Sequence, residues 1–237
     1  MTHIVARDIS VEFPIYGGKS RSLKSTFIRA ATGGVLAKDA SERVVVRALH
    51  GLSFEFSEGD RVGIVGHNGS GKSTLLRVLA GAYEPVSGSI DVTGRVASML
   101  SITLGIDVEA TGYENIVLLA TLMGVRRKEI LPLMGTIAEF SELGDYLDMP
   151  VRTYSSGMVM RLAFAVSTSV AAEIILMDEW LGVGDSEFAK KAQERLGRMI
   201  TQSKILVLAS HDMDLIHKTC NKIMHLDHGE MIRLENA

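Results

Sequence analysis

Apolar positions recur along the chain with two different periods. From Ile9 to Phe13, and again through Leu52, Phe54 and Phe56, apolar and polar residues alternate, which is the pattern of a half-buried strand. Arg61–Val65 is a short apolar run closed by Gly66, and the spacing then predicts a helix over Thr74–Ala80, stopped by Gly81. Further strands are expected at Ser89–Val92 and Arg95–Leu100. The pattern turns helical from Tyr113 to Leu147, punctuated by Gly112, Gly124, Gly135 and Gly144, and another helix is expected over Val159–Val170. Glu173–Met177 and Ile205–Ala209 read as buried strands separated by a helical segment, Glu187–Ile200. Strands that alternate with helices imply a mainly parallel α/β core, and the helix-rich stretch Tyr113–Val170 reads as a subdomain inserted into it.

Composition narrows the class. The 237 residues allow one large domain or two small ones, and 46% hydrophobic with 22% charged residues is an ordinary globular mixture. A net charge of −3 argues against a dedicated nucleic-acid binder, which carries a basic excess or stripe. The single Cys220 cannot form an intrachain disulfide, which fits a reducing cytosol. The polar N-terminus, with Arg7 and Asp8, is no signal peptide. The most apolar stretch, Leu162–Met177, is broken by Ser167, Thr168, Ser169 and Glu173 and does not read as a membrane span. Twelve Met and a mean hydropathy of +0.20 hint at a buried partner surface. In the segment Lys19–Arg29, Lys19, Arg21, Lys24 and Arg29 occur without an acid. Such a segment is either a solvated face or a basic face turned toward anionic lipid headgroups.

The chemistry begins at Gly66-His67-Asn68-Gly69-Ser70-Gly71-Lys72-Ser73, which fits the phosphate-loop pattern G-x-x-x-x-G-K-[ST] without a mismatch and lies between a strand and a helix that starts near Thr74. Its glycines let successive N–H groups face a phosphate. Lys72 adds charge, Ser73 a hydroxyl for Mg²⁺, and the helix N-terminus a partial positive charge. This pattern predicts a nucleoside triphosphate site. Farther on, the apolar strand Ile174–Met177 ends in Asp178-Glu179, at the sheet edge where α/β folds bind ligands. Asp178 is the candidate metal ligand and Glu179 the candidate base for an attacking water. The stretch closest to a guanine-reading N-K-x-D box, Asn221-Lys222-Ile223-Met224, lacks the Asp, which disfavours a GTPase. Thr153-Tyr154-Ser155-Ser156-Gly157-Met158 offers a helix cap and a second set of free N–H groups.

Phosphate loop, helical insertion, Tyr-Ser-Ser-Gly-Met, Asp-Glu, and Ser210-His211-Asp212 after a strand follow the motif order of ABC ATPases. The whole chain resembles the ATP-binding subunit of an ABC transporter. More narrowly, it is similar to the ATPases that export O-antigen, capsular polysaccharide or teichoic acid. The narrower likeness rests on Phe13-Pro14-Ile15-Tyr16 with Ser22-Leu23-Lys24, on Ala110–Ile116, on Tyr154–Met158, and on Asp178-Glu179-Trp180-Leu181 through Val183-Gly184-Asp185.

The resemblance implies a P-loop NTPase core with an N-terminal antiparallel β subdomain and an inserted α-helical subdomain. One ATP-binding domain would then span 1–237, with the core at about 1–100 and 171–237 and the helical part at about 106–170. It implies ATP and Mg²⁺ as ligands, and Tyr16 stacked on adenine, although Tyr16 could equally pack beside Phe13. It places Ser155, Ser156 and Gly157 against the γ-phosphate held by the opposite copy, Asp185 between the two copies, and His211 at the γ-phosphate or its water. Two copies would close on two ATP molecules beside a separate transmembrane permease, at the cytoplasmic face of the inner membrane. The permease would handle the lipid-linked glycan, and no nucleic acid is involved. The signature departs from Leu-Ser-Gly-Gly-Gln, and Ser101 stands where most relatives carry Gln or an acid. Trp180, where Pro is frequent, reads as packing. A drug or lipid pump, or an ATP-gated module with little turnover, would share most of these features. Glu179 argues against the last.

Overall fold

The computed structural model describes residues 1–14, 36–38, 44–179 and 186–237. Tyr16, the basic segment Lys19–Arg29, Trp180 and Asp185 lie outside the described residues. Two compact units are present. One holds residues 1–94, 176–179 and 204–237, and the other holds 95–175 and 180–203.

The first unit contains an antiparallel sheet of order β2-β3-β1-β5, formed by β1 (His3–Pro14), β2 (Leu36–Lys38), β3 (Val44–Ser57) and β5 (Ser87–Thr93). The expected alternation is there but changes parity. Ile4 and Ala6 are buried, then Ile9 and Val11. The pairing with β3 shifts register between Ala6 and Ile9, where Asp8 has φ 53° and its N–H donates to Ser53 Oγ at 2.8 Å. The irregularity keeps both apolar pairs on the core side.

The same unit carries a mainly parallel sheet. β4 (Arg61–Val65) lies between β8 (Ile205–Ala209) and β9 (Lys222–Asp227), parallel to both. β7 (Ile174–Asp178) lies beside β8, and its end, Leu176–Asp178, belongs to this unit. Val62, Ile64 and all of β8 are buried, as a sheet covered on both faces requires. β10 (Glu230–Asn236) returns antiparallel on β9 through a two-residue turn, His228-Gly229, both with positive φ (47° and 83°). That is the turn geometry which matches strand twist.

Helix α1 (Lys72–Leu79) packs Leu75, Leu76 and Leu79 into the core. A later helix of the same unit, Met213–Thr219, is capped by Asp212, whose Oδ1 accepts from the Leu215 N–H at 3.0 Å. The stretch that lacks the guanine-box Asp is structural. Asn221 accepts the Arg61 N–H at 2.8 Å and donates to the Gly59 carbonyl at 3.0 Å, while Lys222 pairs with Asp60 at 2.8 Å.

The second unit holds β6 (Val96–Ser98) and a set of helices. α2 (Gly112–Leu122) begins with a capping box. The Glu114 N–H donates to Thr111 Oγ1 at 3.2 Å, and the Thr111 N–H donates to Glu114 Oε2 at 2.8 Å. The long helical stretch expected over Tyr113–Leu147 is in fact broken into pieces. α2 stops before Gly124 (φ 78°). The short α3 (Arg127–Ile130) runs into a 3₁₀ turn at Leu131–Leu133 that holds Pro132, and α4 (Met134–Ser141) ends where Glu142 takes φ 54°. α5 (Ser156–Ser167) and α6 (Ser186–Gln202) complete the set, which makes the helix of Met213–Thr219 α7. Ile116, Leu119, Ile137, Leu162 and Val166 form the core of this unit. Phe188 of α6 joins Phe140 and Phe164, with the Arg161 and Arg195 guanidinium groups over the rings of Phe188 and Phe140 at 4.6 and 4.0 Å. No helix among the described residues is long and apolar enough to cross a membrane.

Candidate functional site

Between β4 and α1 the chain turns through Gly66, Gly69 and Gly71, with φ of 156°, 84° and 107°. Two of these positions exclude any side chain for steric reasons as well. A Cβ on Gly66 would lie 2.2 Å from the Leu226 carbonyl oxygen, and one on Gly71 would lie 2.7 Å from the Ala48 carbonyl oxygen. The loop is therefore tight against its surroundings. Ser70 is fully buried beneath it, and its carbonyl accepts the Gly229 N–H at 2.9 Å.

Lys72 is 8% exposed and folds back on the loop. Its Nζ donates to the Gly66 carbonyl at 2.7 Å and to the His67 carbonyl at 3.1 Å. Burial lowers its pKa below the ordinary lysine value, while the nearby Asp178 and Glu179 carboxylates raise it. Ser73 Oγ donates to Asp178 Oδ2 at 2.5 Å, across 105 residues of sequence. A hydroxyl and a carboxylate oxygen at one point form the hard oxygen donor set that suits Mg²⁺.

Glu179 follows at the end of β7 with φ 70°, a left-handed conformation that costs a non-glycine residue energy, and its N–H donates to the Ala209 carbonyl at 2.8 Å. Strain of this kind concentrates where a side chain must be aimed. His211 follows β8, in a turn held by the Asp212 N–H donating to Ser210 Oγ at 3.1 Å.

These residues meet. A cavity of about 440 Å³ is lined by Asn68, Gly69, Gly71, Lys72, Ser73 and Thr74, by Asp178 and Glu179, and by His211. Val46, Arg47 and Ala48 of β3 complete its wall. Arg47 pairs with Glu12 at 2.9 Å. No motif marks these three; the close approach of Ala48 and Leu49 to Gly71 brings them to the site. His67 does not line the cavity; its ring turns to Asp227, with Nε2 to Oδ1 at 2.8 Å.

In the second unit, Ser155 caps α5, its Oγ accepting the Met158 N–H at 3.3 Å. Ser156 is exposed and Gly157 half-buried in the first turn. Tyr154 donates to the Tyr146 carbonyl at 2.5 Å, fixing the approach to that cap. Ser101 is exposed, and its carbonyl accepts the Leu104 N–H at 2.9 Å.

A strand–loop–helix phosphate cradle with a carboxylate pair at the end of β7, one strand removed in the same sheet, defines a P-loop nucleotide-binding fold. The family model described as ABC transporter matches residues 49–182. The chain is 47% identical, over 97% of its length and 96% of the relative's, to the O-antigen export system ATP-binding protein RfbE of Yersinia enterocolitica. It is 35% identical to an O-antigen export system ATP-binding protein RfbB of Klebsiella pneumoniae, over 97% of this chain and 92% of that one. It is also 32% identical to the teichoic acids export ATP-binding protein TagH of Listeria monocytogenes, covering 98% of this chain and 66% of that one. The fold matches a solved ATP-binding cassette in a dimeric post-hydrolysis state bound to ADP and Pi, with a TM-score of 0.69 at 18% identity over 98% of each chain. The chain therefore belongs to the ABC transporter family and is one of its ATP-binding, ATP-hydrolysing members.

Proposed function

We propose that the chain is the ATP-hydrolysing subunit of an exporter that moves a lipid-linked polysaccharide across the cytoplasmic membrane. The observation that carries the hydrolytic half is the convergence of Lys72, Ser73, Asp178, Glu179 and His211 on one cavity, with Ser73 and Asp178 in contact at 2.5 Å. The export half is supported by relatives named for O-antigen and teichoic acid export, matched over nearly the whole chain.

In this reading Gly66, His67, Asn68, Gly69, Ser70 and Gly71 supply the backbone cradle, and Lys72 and Thr74 engage the phosphates. Lys72 exchanges its two loop carbonyls for phosphate oxygens. Ser73 and Asp178 hold Mg²⁺, which would offset charge on the phosphates. Glu179 takes the proton of the attacking water, and His211 orients that water or the γ-phosphate. Tyr16 stacks on the base. Ser155, Ser156 and Gly157 present the cap of α5 to the γ-phosphate of a second copy, and Asp185 joins the two. The working unit is a head-to-tail dimer at the cytoplasmic face of the membrane, attached to a separate transmembrane permease that selects the glycan.

The test is Glu179→Gln. A positioned base contributes about 10²–10⁴-fold in rate, so phosphate release should fall by that factor while ATP still binds. The trapped protein should be dimeric with Mg²⁺ and ATP, and adding Ser156→Arg should return it to monomer, because the exposed Ser156 bears on the partner rather than on its own fold. Wild-type turnover by Glu179→Gln, or a dimer indifferent to both ATP and Ser156→Arg, would overturn the reading.

A further inference from the structure

We propose that His67, Asp227 and His228 form a site for a divalent transition-metal ion, with zinc as the representative, beside the phosphate loop and outside the cavity lining. His67 Nδ1 lies 2.7 Å from the Asn68 carbonyl oxygen. A carbonyl only accepts, so Nδ1 carries the hydrogen and donates it. The opposite nitrogen, Nε2, faces Asp227 Oδ1 at 2.8 Å. In a neutral imidazole that nitrogen presents a lone pair. The pair is therefore either an ordinary N–H···O hydrogen bond or two donor atoms that converge on a metal ion at the apex above them.

A third donor selects the metal. His228 Nε2 lies 3.8 Å from the same Asp227 oxygen, and the two imidazole rings are 4.8 Å apart. One ligand atom from each of the three residues falls within 4.8 Å of the others. Ligands at about 2.0–2.1 Å around a tetrahedral ion stand roughly 3.3–3.4 Å from one another. The two distances to Asp227, 2.8 and 3.8 Å, bracket that spacing, and the two imidazole nitrogens, within 4.8 Å of each other, close the site by side-chain rotation.

The backbone already sets the geometry. His228 is held at φ 47° in its two-residue turn. The next residue, Gly229, donates to the Ser70 carbonyl at 2.9 Å and accepts the His50 N–H at 2.8 Å, so the turn is fastened to the phosphate loop. The carbonyl behind His67 is the outer partner that orients metal-binding imidazoles. Two imidazoles and a carboxylate suit zinc, copper or nickel, whereas Mg²⁺ prefers oxygens throughout and would not compete. The three side chains are about half exposed, so the ion enters from solvent and water completes its shell. A bound ion would tie the second residue of the phosphate loop to a turn 160 residues away.

The experiment is calorimetric titration of ZnCl₂ into the tag-free, chelator-stripped protein without nucleotide, since ATP itself binds zinc. One ion per chain is expected. Asp227→Asn and His228→Asn should each weaken uptake at least tenfold, Asn at 228 being chosen because it tolerates the positive φ. Both variants should keep the wild-type melting temperature in metal-free buffer and the wild-type rate of phosphate release with Mg²⁺ and ATP. His67→Gln should lose zinc uptake as well, with binding as its readout. Absence of saturable uptake near one ion, or equal uptake by wild type and all three variants, would overturn the proposal and leave a proton between His67 and Asp227.

Discussion

Replacing Lys72 with Met separates the charge on the phosphate loop from the packing of its stem. Lys72 is 8% exposed, so Ala would leave a cavity under the loop, whereas Met fills nearly the same volume. In the free protein the ammonium holds two loop carbonyls at 2.7 and 3.1 Å. Its burial opposes the charged form and lowers its pKa. Losing two hydrogen bonds and losing the cost of a desolvated charge act in opposite directions, so the stability of the free protein should change by no more than about 1 kcal/mol. Nucleotide binding is different, because nothing replaces the cation at the phosphates. A hydrogen bond to a charged group contributes about 1.5–3 kcal/mol, which corresponds to roughly 10- to 150-fold in affinity. Calorimetry with MgATP and thermal melting of the free protein measure the two terms separately. ATP affinity within twofold of wild type, with the fold intact, would refute the placement of Lys72 at the phosphates.

Asn115 is fully buried; it accepts the Asp107 N–H at 2.9 Å and donates to the Asp107 and Thr111 carbonyls at 2.8 and 2.9 Å. Asn115→Leu should lower stability by about 2–4 kcal/mol, read by urea unfolding, because the 107–111 backbone loses its partners. Burial raises the Cys220 pKa to about 12, so the folded thiol stays protonated where the unfolded one ionises. Stability should therefore fall as pH rises above about 9, and Cys220→Ala should flatten that slope in melts taken between pH 8 and 10. Leu104 is 78% exposed, whereas Ile106 packs against the helical core. Leu104→Glu should therefore leave phosphate release of the isolated subunit unchanged and weaken co-purification with the permease. Ile106→Glu should unfold its unit in the same melts.

Local signals are most specific where one stretch carries both pattern and chemistry. β4 and β8 occupy the predicted residues, because short, largely apolar runs closed by Gly66 and Ser210 leave little room for another reading. The phosphate loop and the Asp178-Glu179 strand end were legible as motifs for the same reason. The C-terminal hairpin β9–β10 has a turn signal in Asp227-His228-Gly229 but no clear strand pattern, because β10 is mostly exposed and carries charges at Arg233 and Glu235. The helical stretch after Tyr113 looked continuous because its breaks at Gly124, Pro132 and Glu142 are short, and the apolar spacing resumes after each. Contacts between distant residues were out of reach. Arg47 reaches the cavity because its neighbours Ala48 and Leu49 lie against Gly71, and His67 meets Asp227 across 160 residues.

The measurement that bears most directly on the proposed function is surface polysaccharide in cells whose sole copy of this subunit carries Glu179→Gln. The prediction is loss of the polysaccharide from the surface, with its lipid-linked form accumulating inside the membrane and restored by the wild-type chain. Normal surface polysaccharide in cells that depend on the variant would contradict an export step driven by hydrolysis at Glu179.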